Sequence, residues 1–241
     1  DMNTSENKYP HRIDPMYADV IDAPSTREIL SREVQYSGYV LQAAVEHYDL
    51  DGHGTTLTRD VIDMPGSVAV AALNNRNEIL LLRQYRHPVR MNLWEVPAGL
   101  LDITGEDPLH AAQRELAEET DLGAHHWRSL VDYYTTPGAA SEAGRIYLAQ
   151  DLYEVPEANR IVRRGEEAEI TYRWVPLEQA VRLVLAGQLH NGLAIQAILA
   201  SYCAVEAQQE QLPLREAADT WDFHPYLGGR RIRPETFKHE E

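Results

Sequence analysis

Residues 99–123 read Gly99-Leu-Leu-Asp-Ile-Thr-Gly-Glu106-Asp-Pro-Leu-His-Ala-Ala-Gln-Arg114-Glu-Leu-Ala-Glu-Glu119-Thr-Asp121-Leu-Gly123, a loop running into a charged helix. Asp107 has the side chain to accept from the first free N–H groups, and Pro108 suits the first helical position. The helix is expected to run to about Thr120. Glu115, Glu118 and Glu119 stand at i, i+3 and i+4, so one face carries three carboxylates. Leu109, Ala112 and Leu116 form the opposite face, with Ala111 beside them, and seat the helix on a sheet. Arg114 is placed to pair with Glu118 at i+4 or to reach back to Glu106. Carboxylates crowded in this way repel one another unless something positive sits between them, and Mg²⁺ or Mn²⁺ takes such oxygens as ligands. An isolated E-x-x-E-E is usually a solvated acidic face, so its surroundings must decide.

Outward from the helix, the chain alternates strands and turns. Glu28–Tyr36, Tyr39–Tyr48 and Gly54–Val61 read as strands separated by Ser37-Gly38 and Asp49–His53. Gly66–Leu73 and Glu78–Tyr85 are apolar strands, and Asn74-Asn75-Arg76-Asn77 between them makes a hairpin turn. Ala98–Glu106 reads as a loop. Leu130–Thr135, Ala143–Leu152 and Glu169–Val175 are further strands. Pro176–Ala186 is a helix stopped by Gly187, and Asn191 caps a second helix, Gly192–Gln208. The expected organisation is a polar, poorly ordered start (1–27), an N-terminal β appendage (28–61), one mixed α/β domain (62–209) and a polar tail (210–241). In that tail Trp221, Phe223 and Tyr226 offer packing groups.

Lys and Arg total 22 against 38 Asp and Glu, a formal net charge of −16. Such a surface repels nucleic acid and anionic membranes, so neither is an expected partner. An anionic substrate would then need cations to mediate its contact. Cys203 is the only cysteine, which excludes an internal disulfide and fits a reducing compartment. It lies in the apolar run Leu193–Val205 and is expected to be a buried thiol. No stretch approaches the roughly 20 apolar residues of a membrane span. The first residues lack a basic region followed by an apolar one, so a cytoplasmic location is expected.

Gly99, Glu106 and the Arg-Glu-Leu-x-Glu-Glu run together resemble the Nudix box, Gly-x5-Glu-x7-Arg-Glu-U-x-Glu-Glu-x-Gly-U, where U is aliphatic. The gap from Glu106 to Arg114 matches. Two departures stand out: one extra residue lies between Gly99 and Glu106, and Asp121 occupies the last glycine position. The resemblance implies a Nudix fold, a mixed β-sheet sandwiched between helices. It further implies that Glu115 and Glu119 ligate metal, with Glu118 as an additional ligand and the Ala98 carbonyl as another. Gly99, Glu106 and Arg114 would be structural.

Outside the box, Gln84-Tyr85-Arg86, the stretch Leu93–Asp102 and Pro137, 16 residues past Asp121, are similar to the ADP-ribose pyrophosphatases of this family. Those enzymes share the longer loop. The likeness implies hydrolysis of ADP-ribose to AMP and ribose 5-phosphate with Mg²⁺ or Mn²⁺. Arg86 is the first substrate-binding residue expected, through a planar fork that matches phosphate. Glu95 either accepts from substrate or is structural. Ser141 and Glu142, after Pro137, are placed to approach a ribose or phosphate. The water-activating base would come from Gly165–Glu169; Glu167 aligns best, with Glu166 and Glu169 as alternatives, and it would also touch metal. Family members of this type are homodimers that exchange N-terminal β elements, a role residues 28–61 could fill with Tyr36, Tyr39 and Tyr48. Two rival activities remain: cleavage of another nucleoside diphosphate sugar or a dinucleotide, and non-enzymatic nucleotide sensing. Intact box glutamates and the acidic charge count against sensing.

Overall fold

Every residue of β4 (Ser67–Ala72) is buried, because helices cover both faces of the sheet around it. The computed structural model describes residues 14–103, 105–163, 169–209 and 214–221. Glu166, Glu167, Phe223 and Tyr226, together with residues 1–13 of the polar start, lie outside these. β4 pairs in parallel with β9 (Ala143–Glu154) and antiparallel with β7 (Ala98–Leu100). β8 (Leu122–Tyr134) and β11 (Arg215–Glu216) complete a five-stranded mixed sheet ordered β11-β8-β9-β4-β7.

Successive side chains of a strand point to opposite faces. Ala69, Ala71, Ile146 and Leu148 therefore pack with Ala197 and Ile198 of α3 (Gly192–Gln209). Val68, Val70, Ala72, Tyr147 and Ala149 pack with Ala111, Ala112 and Leu116 of α1 (Pro108–Thr120) on the other side. That is the helix–sheet–helix arrangement that the resemblance to the Nudix box implies. Each fully buried Leu or Ile here contributes about 1.5–3 kcal/mol. A second, antiparallel sheet is ordered β10 (Thr171–Pro176), β5 (Glu78–Arg86), β6 (Met91–Glu95). α2 (Leu177–Leu185) follows it and buries Leu177 and Ala180.

The first three strands, β1 (Ile29–Ser37), β2 (Gln42–Asp49) and β3 (Thr56–Asp63), form their own antiparallel sheet. All nine residues of β1 are exposed. β3 is stitched to the loop after β8: the Ile62 N–H donates to the Ala139 carbonyl at 2.8 Å, and the Ser141 N–H donates to the Ile62 carbonyl at 3.0 Å.

Several local expectations change. The stretch 98–106 is not all loop, since Ala98–Leu100 adds to the edge of β4. β6 forms a hairpin with β5 through a turn in which Arg90 takes positive φ. β8 starts at Leu122 rather than Leu130, because the long β9 offers it partners as far as Glu154. Leu122–Ser129 lacks clean alternation, which hid that half. Cys203 is exposed, not buried. The buried stripe of α3 is Ala194, Ala197, Ile198, Ser201 and Ala204, at helical spacing, and Cys203 falls off it. Among the described residues no helix is long and apolar enough to cross a membrane.

Candidate functional site

β7 runs against β4 with Val68 opposite Gly99, which sets Gly99 directly beneath α1. A Cβ built on Gly99 would stand 2.0 Å from Oε1 of Glu115 and 2.1 Å from its Cδ. Glycine is needed here for room: the Glu115 carboxylate lies on bare backbone. One turn further along α1, Glu119 is buried and its Oε2 accepts from the Ala98 N–H at 3.0 Å. Ala98, Gly99, Glu115 and Glu119 are therefore neighbours. α1 itself begins as its sequence requires, with Asp107 accepting from the N–H groups of Leu109 and His110 and Pro108 opening the first turn.

Arg114 organises the acidic face. Its Nε and Nη2 donate to the two oxygens of Glu106 at 2.9 and 3.0 Å, a bidentate pair tying the loop to the helix. Its Nη1 donates to Glu115 at 2.7 Å and to Glu118 at 3.2 Å. The hydrogen bonds to Glu106, joined by the charge of Glu115, hold the guanidinium above its ordinary pKa. With Arg114 engaging Glu115 and Glu118 and Ala98 engaging Glu119, no three acidic or imidazole side chains among the described residues converge on one point. The donor set fits a hard divalent cation nonetheless: it consists of carboxylate and carbonyl oxygens, and the missing side chain of Gly99 makes room for the Glu115 carboxylate against the backbone. Glu115, Glu119 and the Ala98 carbonyl are the groups able to hold it.

Arg86 and Glu95 meet each other. Nε and Nη2 of Arg86 donate to the two carboxylate oxygens of Glu95 at 2.8 and 2.6 Å. The arginine side chain is 43% exposed and the glutamate 6%, so Glu95 anchors from below while Arg86 reaches the surface. Beside them opens a cleft of about 210 Å³ lined by Arg83, Gln84, Tyr85, Asn92, Glu169 and Thr171. Glu169, an alternative base, thus faces the Gln84-Tyr85 stretch.

The Ser141 hydroxyl is buried and within reach of the Asp63 carboxylate, itself fully buried and paired with Arg32. Glu142 is half-buried, with its carboxyl near the hydroxyls of Thr135 and Ser67, and burial pushes its pKa up. Ser67 lies opposite Leu100 of β7, so Glu142 sits near the carboxylate helix's own loop. A carboxyl whose ionised form is disfavoured on folding destabilises the fold only once it ionises. The penalty is absent at low pH and appears as pH rises through the carboxylate range and above. Glu142→Gln is therefore expected to raise Tm at pH 8, by roughly 2–4 °C for each kcal/mol relieved, and to leave it unchanged near pH 3.5. Thermal melts across that range would refute this if the gain were independent of pH or absent at pH 8.

Sequence reasoning missed two groups that contact this region. Asp63 carries no motif, and Arg163, which donates to the Glu118 carbonyl, lies 45 residues from it along the chain.

Comparison with known proteins places this geometry. Residues 64–195 match the model of the NUDIX domain. An ADP-ribose pyrophosphatase of Mycobacterium tuberculosis (strain ATCC 25618 / H37Rv) is 39% identical over 189 residues, covering 78% of this chain and 88% of that protein. An ADP-ribose pyrophosphatase of Bacillus subtilis (strain 168) is 34% identical over 169 residues, covering 70% and 89%. The crystal structure of an ADP compounds hydrolase shares the fold with a TM-score of 0.65 at 19% identity, covering 78% of this chain and 98% of that one. The matched span holds β7, Gly99 and the whole of α1 with its glutamates, and the chain belongs to the Nudix family.

Proposed function

We propose that the protein is a pyrophosphohydrolase that cleaves ADP-ribose with water to AMP and ribose 5-phosphate, using Mg²⁺ or Mn²⁺. The observation that carries this reading is the seating of Glu115 on Gly99 beside a buried Glu119 bonded to Ala98, within a chain whose relatives at 39% and 34% identity are ADP-ribose pyrophosphatases. Glu115, Glu119 and the Ala98 carbonyl would hold the metal, with Glu118 as a further ligand. When bound, the cation supplies Lewis-acid polarisation of the diphosphate and a water of lowered pKa. Arg86, steadied by Glu95, binds a phosphate oxygen, and the Ser141–Glu142 segment, with the Ser141 hydroxyl itself buried, lines the substrate from the opposite loop. Glu167 takes the proton of the attacking water as its oxygen bonds to phosphorus and the bridging P–O bond breaks.

The working unit in this reading is a homodimer. β1 is exposed throughout and presents Ile29, Leu30, Val34 and Tyr36, each about half exposed or more, as a surface for a second copy. A single cysteine fits a reducing, cytoplasmic setting.

The test is a substrate panel of ADP-ribose, other nucleoside diphosphate sugars and diadenosine polyphosphates, with Mg²⁺ or Mn²⁺ and products separated by chromatography. The expected result is AMP and ribose 5-phosphate in equal amounts, fastest from ADP-ribose and abolished by chelation. Faster turnover of a different nucleoside diphosphate sugar would replace the substrate, and turnover in excess chelator would remove the mechanism.

A further inference from the structure

Asp121 is where this chain departs from the glycine of its family's box, and it is a conformationally strained choice. It caps α1 in the left-handed region, with φ 58° and ψ 25°, and its N–H donates to the Ala117 carbonyl at 3.0 Å. A side chain in that region costs about 1 kcal/mol relative to glycine. What the carboxylate gains is Arg163, whose Nη2 forms an ion pair with Asp121 Oδ2 at 2.7 Å. Nε of the same arginine donates to the Glu118 carbonyl at 2.8 Å. The last carbonyls of a helix have no partner within it, and a cation there also opposes the helix dipole. The Asp121 carbonyl in turn accepts from the Val155 N–H at 2.8 Å, so the chain from Val155 to Arg163 leaves from and returns to one residue.

The turn held in this way, Glu118–Asp121, contains Glu118 and Glu119. We propose that Asp121 and Arg163 form a clasp that positions those two carboxylates for a divalent cation, taking over at this helix end the part that glycine geometry plays elsewhere in the family. The inference rests on the metal reading of Glu115 and Glu119. Asp121 and Arg163 are positioning residues, since neither is among the groups that would hold the ion.

The clasp makes a different prediction from charge alone. Removing a nearby cation should tighten Mn²⁺ binding and removing a nearby anion should weaken it, whereas breaking a clasp weakens binding from either side. The experiment titrates Mn²⁺ into the full-length protein without substrate, following free Mn²⁺ by electron paramagnetic resonance, with thermal melts in parallel. Arg163→Gln and Asp121→Asn are each expected to weaken Mn²⁺ binding about tenfold, the scale seen when a group supporting a metal ligand is removed. The double variant should bind no more weakly than Arg163→Gln alone, because that variant already removes the ion pair that Asp121→Asn removes. Arg163→Lys, which keeps the charge but loses the fork, should recover only part of the affinity. Tighter binding by Arg163→Gln, or a lower Tm with unchanged Mn²⁺ affinity in both variants, would overturn the clasp while leaving the metal site intact. Mn²⁺ binding that survives Glu115→Gln would instead overturn the metal reading and this inference with it.

Discussion

Glu115→Gln and Glu119→Gln are each expected to lower kcat for ADP-ribose by a factor on the order of 10³, equivalent to about 4 kcal/mol of lost transition-state stabilisation. Glutamine keeps the size and one acceptor oxygen but removes the charge that a divalent cation needs. The surrounding structure gives little reason for collapse. Arg114 keeps its bidentate hold on Glu106 when Glu115 is neutralised, and a glutamine oxygen at 119 can still accept from the Ala98 N–H. Tm should therefore stay close to that of the unaltered protein while turnover falls. Glu118→Gln should do less, because Glu118 is the least buried of the three and its contact with Arg114 is the longest, at 3.2 Å. Steady-state kinetics at saturating Mg²⁺ and Mn²⁺ would settle it. Near-normal turnover in both Glu115→Gln and Glu119→Gln would sink the assignment of α1 as the metal helix.

The largest stability effect is expected at Arg145, which is not one of the groups proposed to hold metal or substrate. This side chain is fully buried on β9, where Nε and Nη2 donate to the Asp132 carboxylate at 2.6 and 2.8 Å. Its Nη1 donates to the Asp219 carbonyl at 2.7 Å, and its guanidinium lies 4.9 Å from the Trp221 ring. Arg215 adds a second cation to Asp132 at 2.6 Å. Burial alone would push the Asp132 pKa up, but hydrogen bonds from Arg145 and Arg215 hold it below the ordinary value. Its contribution is therefore present at neutral pH and lost as pH falls through the carboxylate range. Arg145→Ala leaves the Asp219 carbonyl without its donor, Asp132 with one cation and Trp221 without its ring contact. Breaking a buried pair by removing one partner costs about 3–5 kcal/mol. At roughly 2–4 °C per kcal/mol for a domain of this size, Tm should fall by roughly 6–20 °C at pH 7. The matching exposed pair, Arg128 with Glu216, is a control expected to shift stability by under about 1 kcal/mol. Calorimetry on both variants decides the matter: equal shifts would mean that the buried cluster does not hold 214–221 in place.

Neither cluster has the same standing in the sequence. The carboxylate helix is legible because its information is local. Asp107 and Pro108 start it, Glu115, Glu118 and Glu119 share a face through helical spacing alone, and Gly99 and Arg114 lie within a few turns of their partners. The same holds for the Asn74–Asn77 turn and for the apolar strands on either side of it, since turn residues bound both short runs. Arg145 is different. Its carbonyl partner is 74 residues away, and the residues between say nothing of the contact. Cys203 shows the opposite limit: an apolar run places it in a helix, but only the orientation of α3 decides that Ala204 faces the core and Cys203 does not.

What the chain determined by itself is thus the set of short-range choices: caps, turns, strand alternation and the carboxylate spacing on α1. Tertiary structure decided which of those groups meet. It paired Arg86 with Glu95, laid Glu115 on Gly99, buried the Ser141 hydroxyl and brought Arg163 to the end of α1. The physical reason is one of range. Backbone propensity and i, i+4 contacts act within a turn or two, whereas a buried polar group must find its partner wherever the packing of sheets and helices happens to bring one.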